Sequence, residues 1–75
     1  MAAIEVPAEG RPEQAPGSDN LLGVDGNAFA IMGTTVKLLR RAGASPEFLK
    51  SYQDAATSGD YDYLLAVSVA FLEAE

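Results

Sequence analysis

The sequence predicts a mainly α-helical fold, a compact bundle of about three short helices behind a disordered N-terminal tail. Three observations predict it. Apolar residues recur at every third or fourth position in three separate stretches beyond residue 27. Each stretch is preceded by residues that cap helix N-termini: Asp25 or Asn27, then Ser45, then Asp60. The first twenty residues instead carry Pro7, Pro12 and Pro16 with Gly10, Gly17 and scattered glutamates, and show no apolar period.

Residues 1–20 are therefore read as a flexible tail, because such a composition cannot offset the entropy of ordering. Ile4 and Val6 alternate with Glu5 and could add a strand to some partner's edge, but a plain tail is the simpler reading. Residues 21–75 form the domain. Leu21, Leu22 and Val24 lead in, and Asp25-Gly26-Asn27 is a turn signal. The first helix is expected over 28–42, with Phe29, Met32, Val36 and Leu39 as one inner face, widened by Ile31, Leu38 and Ala42. On this reading Phe29→Ala removes much of the stability. Arg40 and Arg41 suit the helix C-terminus, and Gly43 suits the left-handed position after it.

Ser45-Pro46-Glu47 opens the second helix with an N-cap, a proline at N1 and an acid in the first turn. Phe48, Tyr52, Ala55 and Ala56 should face inward with Leu49 at the edge, and Ser58-Gly59 ends the helix. The third helix runs from the Asp60 cap to about Glu73, with Leu64, Val67, Ser68, Phe71 and Leu72 inside. Val67, Val69 and Phe71 also permit an extended ending, a short strand pair between residues 21–24 and the C-terminus. Helix is preferred.

Composition narrows the function. Seventy-five residues allow one domain, and with neither Cys nor His there is no disulfide and no imidazole or thiolate metal site. Catalysis by Cys or His is excluded likewise. Asp60 and Asp62 are accounted for by capping and the helix dipole, so the chain is not expected to be an enzyme, and no cofactor is implied. Asp54 followed by Gly59 at the sixth position imitates a calcium loop, but Ala56 and Leu65 stand where the third and twelfth ligands belong. The net charge of −6 divides evenly between tail and domain, too weak a field for mimicry of nucleic acid and adequate for solubility. No stretch is long enough to span a bilayer and the start lacks a secretory pattern, so a soluble cytoplasmic protein is expected.

Two binding roles stay open. Tyr52, Tyr61 and Tyr63 gather near the turn between the second and third helices, where exposed tyrosines would suit contact with another protein. The alternative is a helix-turn-helix-like nucleic-acid binder. Leu39, Gly43 and Leu49 have its spacing, and Lys37, Arg40, Arg41 and Lys50 could meet phosphates. Four cations are few for that task, and Glu47 and Asp54 share the second helix. A protein partner is therefore favoured, with monomer and homodimer equally open.

The stretches DGNAFAIMG, KLLRRAGAS and ATSGDYDYLL together resemble a group of short, uncharacterised actinobacterial, phage and mobile-element proteins. The shared features fall on Asp25, Gly26, Asn27 and Phe29, on Arg41, Ala42 and Gly43, and on Gly59, Tyr61 and Asp62. The alternating acidic and apolar ending of that group is only partly kept by residues 71–75. The resemblance spans residues 21–75 and implies a phage or mobile-element origin with a host or phage protein as partner. It implies no activity.

Overall fold

The computed structural model describes residues 4–75. Three helices follow a short 3-10 turn at Ser18–Leu21: α1 (Ala28–Arg41), α2 (Pro46–Ala56) and α3 (Tyr61–Glu73), each packed on the other two. Every N-terminus is closed as local chemistry dictates. Asn27 Oδ1 accepts from the Ala30 amide at 2.8 Å, Ser45 Oγ from Phe48 at 3.1 Å, and Asp60 Oδ1 from Tyr63 at 2.9 Å. Asp25 supports the first cap from behind, its carboxylate accepting the Asn27 amide. The end of α1 is a full Schellman motif: Gly43 N–H donates to Arg40 O and Ala44 N–H to Leu39 O, with Gly43 at φ 102°.

The core gathers between the three helices. Phe71 packs against Phe48 and Tyr52, ring centroids 5.2 and 5.4 Å apart. Leu39, Ile31, Leu64, Val67 and Leu72 close around these rings. On α3 the buried set is Leu64, Val67, Ser68, Phe71 and Leu72, the stripe that the periodicity predicts. On α2 it is Phe48, Leu49, Tyr52 and Ala56, so Leu49 goes fully inside while Ala55 is only partly covered.

Helix α1 corrects the sequence reading. Its buried residues are Ile31, Thr35, Val36 and Leu39, and Phe29 stands 88% exposed. Thr35 takes the inward position because its hydroxyl donates to Ile31 O at 2.8 Å, which leaves the methyl free to pack as a small apolar group. The large stability loss expected of Phe29→Ala is withdrawn on this ground. The strand pair is corrected too. Residues 21–24 leave the 3-10 turn through a further turn (Val24 N–H to Leu21 O), α3 stays helical to Glu73, and no strand occurs among the described residues.

Residues 4–17 form no helix or strand, and they lie along the bundle. Helix α3 has no basic residue in its last turn and no glycine after it, so its final carbonyls lack a local partner. The N-terminal stretch supplies them. Gly17 N–H donates to Leu72 O at 2.9 Å, and beyond the helix end Arg11 Nη1 donates to Glu75 O at 2.7 Å. Arg11 also holds Val6 O and Pro7 O, which folds the stretch back on itself. Ile4 and Val6 pack against the core, and Pro12 is buried. The radius of gyration, 11.1 Å, matches the ~11 Å of a globule of this size.

Gly10 is the tightest point of this arrangement. Its carbonyl accepts from Ser45 N–H at 2.9 Å, its φ is 78°, and a Cβ there would meet Ser45 Oγ at 2.1 Å. Gly10→Ala therefore strains the backbone and pushes on the α2 cap together. A loss of about 1–2 kcal/mol is expected from the left-handed conformation alone. Urea unfolding with an unchanged midpoint would show that this stretch contributes nothing.

Candidate protein-contact face on α1

Without Cys or His, and with no cluster of three or more carboxylates able to hold a metal ion among the described residues, the site to consider is a surface. No described helix is long and apolar enough to cross a membrane. Phe29 sits in the first turn of α1 and projects from the bundle, a ridge with a shallow groove on either side. One groove runs along α1 over Met32, Gly33 and Val36 to Lys37 and Arg40, with Gln53 of α2 as its far wall. The other passes between α1 and the start of α3, bounded by Ala28, Met32, Ala56, Tyr61 and Leu64. Their shared wall, Phe29 with Met32, is apolar.

The face arises from a surplus of apolar residues. Helix α1 carries Phe29, Ile31, Met32, Val36, Leu38 and Leu39, more than one face of a helix can hold. The bundle uses Ile31, Val36 and Leu39 with Thr35, leaving Phe29 outside and Met32 half-buried. An exposed Leu22, 82% accessible, precedes α1.

The three tyrosines take three different roles. Tyr52 is fully buried, with its hydroxyl 2.6 Å from Ser68 Oγ, so its expected role as a partner contact is corrected to a core role. Tyr61 is partly exposed and donates its hydroxyl to Gly26 O, tying the start of α3 to the entry of α1. It keeps a place on the surface, as a wall of the second groove. Tyr63 lies over Gly59, where an added Cβ would meet its ring at 2.9 Å, and it remains partly exposed.

The four cations do not act as one group. Lys37 and Arg40 line the α1 groove, and Arg41 is exposed at the end of the same helix. Lys50 lies on α2, where its ammonium pairs with Asp54 at 3.4 Å. Leu39 and Leu49 of the helix-turn-helix spacing are both core residues, placed as any close pair of helices would place them. The exposure of Phe29 escapes the sequence reading, although its signal is present. Gly33, four residues on, marks the same face with a residue that helix interiors disfavour.

No protein-family model matches the chain, and neither a curated protein nor a solved structure matches it.

Proposed function

We propose that the chain is a small non-enzymatic protein-interaction module that binds another protein through the α1 face centred on Phe29. The observation that carries this reading is the exposure of Phe29 in a domain whose core closes without it. A lone aromatic ring in water, flanked by apolar grooves, gains most by entering a partner's pocket, and such rings dominate interface energetics. Tyr61 would border the contact with both an apolar ring and a polar tip. A phage or mobile-element origin would put the partner among host or phage proteins, if it is not another copy of the chain.

Nucleic-acid binding has less support. The exposed side of α2 offers Lys50 and Gln53 against Glu47 and Asp54, and Lys50 is already paired. That leaves Lys37, Arg40 and Arg41, too few to accumulate the phosphate contacts that drive such binding.

Phe29→Ser tests the protein-binding reading. The unfolding free energy is expected to change by no more than the scatter of surface substitutions, about 0.5 kcal/mol. Protein captured by the immobilised chain should fall at least tenfold, since loss of an anchoring aromatic costs ~2 kcal/mol or more. Capture equal to that of the parent chain would rule the face out.

A further inference from the structure

Resting on the protein-binding reading, we infer that the partner seated on this face is a second copy of the chain, with α1 packed antiparallel against its own counterpart across a two-fold axis at Gly33.

Gly33 is the first reason. It lies near the middle of α1, exposed, and a Cβ there would meet nothing within 4 Å. Nothing within the bundle requires a glycine. Yet glycine inside a helix costs ~0.8–1 kcal/mol relative to alanine. What such a residue permits is close approach of another backbone, and two helices crossing at a small residue can come nearer than the usual 8–10 Å.

Register is the second reason. Phe29, Gly33, Val36, Lys37 and Arg40 border one groove and so share one helix face. A two-fold axis at Gly33 sets each residue opposite the one equally far beyond it. Phe29 then faces Lys37 of the other copy, an aromatic ring against an ammonium with a long apolar stem. The ridge of each copy enters the groove of the other, as an isologous contact demands.

Charge is the third. Along α1 the sign changes from end to end: Asp25 precedes the helix, and Lys37, Arg40 and Arg41 close it. In the antiparallel arrangement the cationic end of each α1 lies toward the other copy's helix entry, which Asp25 precedes. A parallel pairing would set like charges together. The helix dipoles favour the same orientation.

Sedimentation equilibrium over a wide concentration range tests the proposal through two variants. The parent chain is expected to form dimers. Phe29→Ser should weaken the dimer at least tenfold by removing both ridges. Gly33→Leu separates interface from fold, because leucine is the better helix former. It should leave the helix content and raise or preserve the thermal midpoint measured below the dimer's dissociation range, while weakening dimerisation at least tenfold. A Gly33→Leu chain that dimerises as well as the parent would overturn the proposal. So would a parent chain monomeric at ~1 mM. A monomeric parent whose captured protein is lost on Phe29→Ser would overturn self-pairing alone and leave the protein-binding reading standing. A monomeric parent whose capture is indifferent to Phe29 would overturn both.

Discussion

Phe71→Ala is expected to leave the chain largely unfolded at 25 °C. The side chain is buried in the last full turns of α3, and its ring meets Phe48 and Tyr52 at 5.2 and 5.4 Å in tilted and edge-on arrangements. Truncating such a ring forfeits its transfer free energy and leaves a cavity that three packed helices can only partly close, together ~3–5 kcal/mol. Aromatic contacts of this geometry add about 0.5–1.5 kcal/mol each beyond the buried area. A domain of this length has ~4–11 kcal/mol in total. The loss therefore takes most of the stability, and a chain without Cys has no disulfide to compensate. Far-UV circular dichroism during urea titration provides the measurement, with Phe29→Ala as its control. A loss for Phe29→Ala as large as that for Phe71→Ala would mean that Phe29 is not on the outer face.

That contrast shows where the sequence was legible. The helix termini were, because caps are local: Asn27, Ser45, Asp60 and Gly43 each act within three or four residues of themselves. The inner stripe of α3 was legible as well, because its apolar residues fit a single face. On α1 the apolar residues exceed one face, and periodicity ranks a phenylalanine above a threonine. The bundle decides otherwise, since Thr35 satisfies its hydroxyl within the helix and can be fully buried. The exposed apolar face around Phe29 was missed for the same reason, since periodicity alone places that ring inside. Nor did composition reveal where residues 4–17 run. A segment rich in proline and glycine lacks helix and strand, yet its backbone groups can still serve a distant helix end, as the Gly17 amide serves Leu72 of α3. Long-range pairing of that kind leaves no local period. Its one trace was a helix without a C-terminal cap and a single arginine among the first twenty residues.

Ser68→Ala is expected to destabilise the chain by about 1–3 kcal/mol, more than Tyr52→Phe at the other end of the same hydrogen bond. Both side chains are fully buried, and their oxygens are 2.6 Å apart. Ser68 Oγ donates to Leu64 O at 2.8 Å, so the Tyr52 hydroxyl must be the donor between the two. Removing the serine hydroxyl leaves the tyrosine proton in the core without an acceptor, and the full desolvation penalty falls on it. Removing the tyrosine hydroxyl leaves the serine still donating to its own helix, with only a lone pair unused. The smaller loss, ~0.5–1.5 kcal/mol, follows. The double variant removes donor and acceptor together, so its loss should fall short of the sum of the single losses by ~1 kcal/mol. Denaturant midpoints of the four chains complete the cycle. Losses that simply add, or a Tyr52→Phe chain weaker than Ser68→Ala, would show that the proton is not held in this direction.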